Sequence, residues 1–138
     1  MPIFNIKSGK LNPIKEVTIK LEKDLQKLTE DNLECVFALN FVCTEFSLHN
    51  FRIDSLAFDE ENKSFVIIEY KRDKNFSVVD QGFAYLSLML NNKADFILEY
   101  NEQTGSNLKK NDVDWSQSRV IFVSQSFTTY KWHQQRSG

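Results

Sequence analysis

The chain is poor in the residues that interrupt regular structure. It has only 4 glycines and 2 prolines among 138 residues, whereas 12 phenylalanines help to raise its aromatic content to 13%. Disordered tracts are low in aromatic residues, so this composition argues against long disordered tracts. It supplies enough apolar side chains for a single hydrophobic core. We therefore expect one domain over residues 1–138, with an arm or edge segment at 1–15 and a core at 20–125.

Cysteines and long apolar runs are also scarce. Cys35 and Cys43 stand in apolar stretches and form no CxxC pair, so we expect buried thiols in a reducing cytoplasm. No apolar run approaches the ~18 residues of a membrane-spanning helix. The sequence also has no glycine-rich phosphate loop, no Ser-His-Asp pattern and no zinc-ligand spacing. These absences argue against a membrane protein, a P-loop enzyme, a serine hydrolase and a zinc protein.

An excess of basic residues is missing as well. The formal net charge is -2, whereas nucleic-acid-binding domains are typically basic. Residues 1–28 differ from the rest, with six lysines against three acids. A solvated face explains those lysines as well as a phosphate-binding rim does, so charge alone does not decide the partner.

The apolar pattern predicts an α/β (α+β) domain in which helices flank a central mixed sheet, in the order α-β-β-β-α-β-β. Helical spacing runs from Leu21 to about Asn32, and Ser77 with Asp80 marks the start of a helix that ends near Leu90. The core-facing stripe of that second helix is expected to be Val79, Phe83, Leu86 and Leu90. Strands are predicted at 41–48, 52–58, 65–71, 95–100 and 119–124.

The second and third predicted strands form a hairpin that carries the chemistry. A polar turn joins them, and we expect Phe58 to face Phe65. Antiparallel register then puts Asp54 opposite Glu69, and Lys71 projects from the same face as Glu69. Like charges opposite each other destabilise a sheet. Two carboxylates beside a lysine instead suit a divalent metal ion and the activation of water.

Purely structural roles stay open for these polar residues. The two acids and the lysine can form an ion cluster with Arg52, although buried ion pairs contribute little to stability. Arg72 and Lys74 follow the hairpin and can contact phosphates or simply make a charged turn. Gln81 and Tyr85 share one face of the second helix, where they can equally cap the edge of the core.

In their surroundings these residues resemble the PD-(D/E)XK nuclease superfamily, whose core has the order helix, three strands, helix, strand. The resemblance covers roughly residues 20–125. Within the superfamily, the sequence is most similar to RecB-like and NucS-like nuclease domains, and to the nuclease-like N-terminal part of uncharacterised prokaryotic proteins. Five residues at matching positions carry it: Asp54, Glu69 and Lys71 on the hairpin, Glu22 on the preceding helix and Gln81 on the following helix.

The resemblance implies a catalytic site that uses Mg²⁺ or Mn²⁺. Asp54 and Glu69 would ligate the metal ion, and Glu22 would support it directly or through water. Lys71 would position or help to deprotonate the attacking water and offset charge on the phosphate. Gln81 would orient a carboxylate, the substrate phosphate or the water.

Further residues complete or compete with this set. Tyr85 would lie behind the catalytic glutamine, and we expect it to contribute to substrate binding together with Arg72 and Lys74. Asp24 and Glu45 are alternative candidates for an acid of the site. The sequence does not determine whether their side chains point toward it.

The expected function is metal-dependent hydrolysis of phosphodiester bonds in nucleic acid, with DNA favoured over RNA. A homodimer is compatible with this function. The final residues, SFTTYKWHQQRSG, form no convincing terminating element, which is compatible with a further domain in a longer protein. Two alternatives remain: a PD-(D/E)XK-like module that binds nucleic acid or protein without cleavage, and a dimerising or scaffolding segment of a larger nuclease.

Overall fold

A four-stranded sheet with helices on both faces forms the domain, in a computed structural model that describes residues 22–71 and 77–124. Two helices precede the sheet: α1 (Glu22–Asp31) and α2 (Leu33–Phe37). The first three strands are β1 (Asn40–Leu48), β2 (Phe51–Asp59) and β3 (Ser64–Lys71). They are followed by α3 (Val78–Leu90), α4 (Lys93–Thr104), 3-10 turns at Lys110–Asp112 and Trp115–Gln117, and β4 (Arg119–Ser124). The α+β class predicted from the sequence is confirmed.

The sheet is mixed, as expected. Its strands lie in chain order. β2 is antiparallel to both β1 and β3, and β4 is parallel to β3. A parallel pair needs a crossover connection, and α3 and α4 supply it. The register of β2 and β3 pairs Phe58 with Phe65, as predicted, and their ring centroids are 5.0 Å apart.

Two apolar cores cover the two faces of the sheet. One packs α3 and α4 against β2 and β3 and includes Phe58, Phe65, Leu88, Met89 and Phe96. The other packs α1 and α2 against the opposite face and includes Leu25, Leu33, Ala57, Val66 and Ile68. Because β3 is covered on both faces, its residues 64–70 are all buried instead of alternating.

The predicted strand at 95–100 is wrong, since these residues belong to α4. Phe96 and Tyr100 are buried, whereas Leu98 between them is 56% exposed. Burial four residues apart is the period of a helix. A short apolar run such as Phe-Ile-Leu fits either structure, and packing against the sheet selected the helix.

The predicted core stripe of α3 is also wrong. Val79 and Phe83 are 66% and 67% exposed, whereas Leu88 and Met89 are buried against the sheet. Apolar residues occupy both sides of α3, so helical spacing alone could not select the buried side. The start of the helix is as expected, because the Ser77 side chain accepts a hydrogen bond from the amide of Asp80 at 3.2 Å.

Three further expectations meet different outcomes. Cys43 is buried as predicted, but Cys35 is exposed. Within the described ranges, no helix has the length and apolar character that crossing a membrane requires. The expected arm at 1–15 lies outside the described residues.

Phe65→Ala should destabilise the protein far more than Phe83→Ala. The Phe65 ring is fully buried and contacts the rings of Phe58, Phe96, Tyr100 and Trp115. Its removal should lower the free energy of unfolding by about 3–5 kcal/mol. Removal of the exposed Phe83 ring should cost less than about 1 kcal/mol. Urea unfolding measures both, and equal losses would contradict the orientation of α3.

Candidate active site

The candidate site lies where β2 and β3 stop pairing. Their last Cα pair on this side is Ser55–Ile68. Beyond it, side chains replace the backbone ladder. The amide of Asp54 donates to Glu69 Oε2 at 2.8 Å, and the amide of Tyr70 donates to Asp54 Oδ2 at 3.1 Å. Each carboxylate is held by the backbone of the opposite strand, so the hairpin register brings the two acids together.

Glu69 is the more buried of the two acids, with 3% of its surface exposed. Burial raises its pKa from 4.5 to about 7, and the nearby charge of Asp54 adds to the effect. The Asp54 amide, the Tyr85 hydroxyl and the Lys71 charge oppose this rise in pKa without cancelling it. The hydroxyl of Tyr85 donates to Glu69 Oε1 at 2.9 Å. Both oxygens of this carboxylate therefore accept a hydrogen bond from a fixed donor.

Asp54 is partly open to solvent. Its side chain is 17% exposed, and Arg52 Nη2 lies 3.8 Å from its Oδ1. The Arg52 side chain is itself 61% exposed, and exposed ion pairs contribute at most about 1 kcal/mol. The contact with Arg52 therefore contributes little by itself to a structural ion cluster at this place.

The polar face of α3 reaches the site through Tyr85. Gln81 lies one turn earlier on the same face. Its Oε1 is buried and has no hydrogen-bond partner within the described part of the chain. A buried acceptor without a partner costs about 1–3 kcal/mol, so this oxygen is suited to contact a bound ligand or water. Tyr85 also packs edge-on against Phe51, with ring centroids 5.8 Å apart.

For the remaining predicted site residues, the structure describes only part of the surroundings. Lys71 is the half-buried last residue of β3, and its charge acts on Glu69. Glu22 is the first residue of α1, and its side chain lies outside the described part. Arg72 and Lys74 also lie outside the described residues.

The two rival acids, Asp24 and Glu45, are both exposed to solvent. Neither makes a hydrogen bond or ion pair to Asp54 or Glu69 among the described contacts.

Sequence reasoning missed a polar group behind Asp54. Gln26 of α1 donates through Nε2 to the backbone oxygen of Asp54 at 2.8 Å. Glu30, one turn later, accepts from the same amide at 3.1 Å and from the hydroxyl of Ser55. A serine inside an apolar strand, opposite a helix with polar residues four apart, was the available signal.

The acids are suitable donors for a hard divalent cation. Among the described side chains, no three of the histidine, cysteine, aspartate or glutamate type form a metal-binding group. Magnesium does not require one, because it is commonly held by one or two carboxylates together with water and substrate phosphates. Asp54 and Glu69 provide such a pair, and manganese accepts the same oxygen ligands.

The chain is similar in sequence to an uncharacterised bacterial protein and in structure to two endonuclease chains. No family model matches the chain. An uncharacterised protein of Haemophilus influenzae strain Rd is 57% identical over 131 residues, which are 95% of this chain and 43% of that protein. The chain therefore spans less than half the length of this relative.

The structural neighbours are more distant. A chain from the structure of an EndoMS–dsDNA2 complex has a TM-score of 0.40 and 14% identity, over 90% of this chain and 46% of that one. A repair endonuclease from Pyrococcus abyssi has a TM-score of 0.39 and 15% identity, over 87% of this chain and 46% of its own. Similarity at this level decides no activity, so the chemistry of the site has to carry the assignment.

Glu69→Gln should change how the stability of the metal-free protein depends on pH. Since folding raises the pKa of Glu69 above 4.5, its contribution to stability is complete below that value and is lost as the pH rises through about 7. A neutral glutamine can accept from the Asp54 amide and donate to the Tyr85 hydroxyl. We expect the variant to match the parent near pH 4.5 and to exceed it by roughly 1–3 kcal/mol near pH 8.

Urea unfolding in EDTA at both pH values checks this expectation. Glu61→Gln is the matched control, because Glu61 is exposed and the same substitution there should leave the pH dependence unchanged. A stability difference between Glu69→Gln and the parent that is the same at both pH values would contradict the raised pKa.

Proposed function

We propose that this chain is a nuclease domain of the PD-(D/E)XK type that hydrolyses phosphodiester bonds with the help of Mg²⁺ or Mn²⁺. One observation carries the proposal. At the point where β2 and β3 separate, each of the two acids is held by an amide of the opposite strand. Lys71 follows two residues after Glu69 on the same strand, so its side chain leaves from the same face.

Stability alone does not account for this arrangement. Glu69 is buried, its pKa is raised, and the charge of Asp54 raises it further. A buried carboxyl beside another acid disfavours the ionised form, and neutral amide side chains could accept the same two backbone hydrogen bonds without that cost. A buried acid with a strongly raised pKa, held in a fixed constellation, is typical of functional sites.

A bound divalent ion would polarise a phosphoryl oxygen and make a coordinated water a better nucleophile near neutral pH. Asp54 and Glu69 would hold it, with Glu22 as a proposed third acid from α1. Their oxygens are of the hard type that magnesium and manganese prefer.

The residues around the two acids have separate tasks in this proposal. The Asp54 amide and the Tyr85 hydroxyl fix the orientation of Glu69, so its oxygens need little rearrangement when a cation binds. Lys71 would offset negative charge that develops on the phosphate. Gln81 would use its buried oxygen, which has no hydrogen-bond partner among the described residues, to orient the water or a ligand of the cation.

The substrate and the assembly belong to the proposal as well. The resemblance of the motif to RecB-like and NucS-like nucleases favours DNA over RNA. Arg72, Lys74 and Tyr85 are the proposed substrate contacts. Because the chain spans 43% of its Haemophilus relative, we propose that it works beside a further domain in a longer protein, and a homodimer would allow two strands to be cut.

Lys71→Ala and Glu69→Ala should each abolish detectable cleavage. Loss of a group that stabilises charge in the transition state typically lowers the rate by about 10²–10³-fold, and loss of a metal ligand should cost at least as much. The measurement is cleavage of supercoiled plasmid, single-stranded DNA and RNA with Mg²⁺, Mn²⁺ or EDTA.

Lys63→Ala is the matched control for the lysine variant. Lys63 belongs to the turn of the same hairpin and pairs with Glu60 on the surface, so its loss should leave cleavage unchanged. Full activity of Lys71→Ala would reject the assigned role of this lysine. Cleavage that persists in EDTA would reject the metal-dependent mechanism.

A second function is favoured by the length of the relative. A chain that covers 43% of a longer protein can be a module that binds nucleic acid or protein and cleaves nothing. Thermal denaturation with Mn²⁺ separates the two, because an ion that binds only the folded protein raises the melting temperature by mass action. A shift that is lost in Glu69→Ala supports the nuclease, whereas no shift in the parent supports the module.

A further inference from the structure

Asp54 lies at an irregular place in the sheet. It belongs to neither of the sets of paired Cα atoms that join β2 to its two neighbours. On the β1 side, the pairs Thr44–Ser55 and Phe46–Ile53 flank it, and Glu45 between them has a φ of 56°. A positive φ is uncommon for a residue with a side chain. The backbone of Asp54 therefore needs support from outside the sheet ladder.

Gln26 supplies that support from α1. Its Nε2 lies 2.8 Å from the backbone oxygen of Asp54, 3.1 Å from Glu30 Oε2 and 2.6 Å from Thr44 Oγ1. A carbonyl and a carboxylate oxygen only accept hydrogen bonds. The amide nitrogen, and not the amide oxygen, must therefore face the strand, and its two hydrogens are shared among the Asp54 carbonyl, the Glu30 carboxylate and the Thr44 hydroxyl.

The contacts of Gln26 continue through the sheet and return to Asp54. Glu30 accepts from the Ser55 hydroxyl, whose oxygen lies 2.8 Å from the Tyr70 hydroxyl. Because Ser55 gives its only hydrogen to the carboxylate, Tyr70 must donate to Ser55. The backbone amide of Tyr70 then donates to Asp54 Oδ2.

These contacts form a closed ring of hydrogen bonds. Ser55 and Tyr70 are buried, with 0% and 2% of their surfaces exposed. A buried donor or acceptor that loses its hydrogen-bond partner stays unsatisfied, so breaking any bond of the ring is costly. The ring fixes both the main-chain oxygen and the carboxylate of Asp54, from the side of the sheet away from Tyr85.

We propose that Gln26 is a positioning residue for the active site, which holds the Asp54 main chain so that its carboxylate stays beside Glu69. This inference rests on the proposed nuclease function for its consequences in catalysis. Gln26 touches neither carboxylate of the site, and its effect passes through the Asp54 carbonyl. Partners of this outer kind typically contribute about 10–100-fold to metal affinity or activity.

Gln26→Met tests the proposal, because methionine keeps the length of the side chain and removes its donor. Lys27→Met is the matched control on the next residue, whose side chain is 79% exposed and pairs with Asp31. Thr44→Val is a milder second variant, since Thr44 is exposed and contacts both the Gln26 amide and the Asp54 carbonyl.

Three readouts distinguish positioning from general stability. We expect Gln26→Met to weaken Mn²⁺ binding by about 10–100-fold and to lower kcat by a similar factor, while KM for DNA changes less than about twofold. Hydrogen exchange at the Tyr70 amide should accelerate by more than the change in global stability explains. Thr44→Val should show the same changes at smaller size, and Lys27→Met none of them.

Failure of the inference and failure of the nuclease proposal look different. If the parent binds Mn²⁺ and cleaves DNA, and Gln26→Met does both equally well, the inference is overturned and the nuclease stands. If the parent does neither, the nuclease proposal is overturned. In that case, faster exchange of the Tyr70 amide in Gln26→Met still favours a positioning role for Gln26, and unchanged exchange overturns it.

Discussion

Two hydrogen bonds between acidic side chains and the backbone of the opposite strand hold the structure together at the point where β2 and β3 separate. Glu69 accepts from the Asp54 amide, and Asp54 accepts from the Tyr70 amide. Without these bonds, two backbone amides would lose their partners at the end of a buried strand, at a cost of about 1–3 kcal/mol each. The acids therefore complete the sheet and at the same time form the candidate site.

The surrounding core makes this arrangement tolerable. Aromatic rings around Phe65 and the helices on both faces bury β3 over residues 64–70. That burial raises the pKa of Glu69 to about 7, while the Tyr85 hydroxyl holds its carboxylate in one orientation. Stability supplied by the core thus compensates for an acidic pair that is unfavourable by itself, as is common at functional sites.

The parts of the fold that could be predicted are those with strong local signals. The polar turn between two apolar segments gave the Phe58–Phe65 register, and Ser77 marked the start of α3. The segment at 95–100 could not be assigned, because its apolar run fits a strand or a helix until packing selects one. The side of α3 that faces the core was equally ambiguous, and Phe83 lies exposed while Leu88 lies buried.

The sequence by itself determined the hairpin, the meeting of Asp54 with Glu69 across it, and the placing of Tyr85 one turn after Gln81 on a single helix. These follow from the fixed periods of strands and helices, which are local properties of the chain. Only the tertiary structure decided that Tyr85 binds Glu69 and that Gln26 and Glu30 of α1 reach Asp54 and Ser55. Those contacts join residues 16 to 28 positions apart, and they depend on how helices pack on the sheet, which no local period specifies.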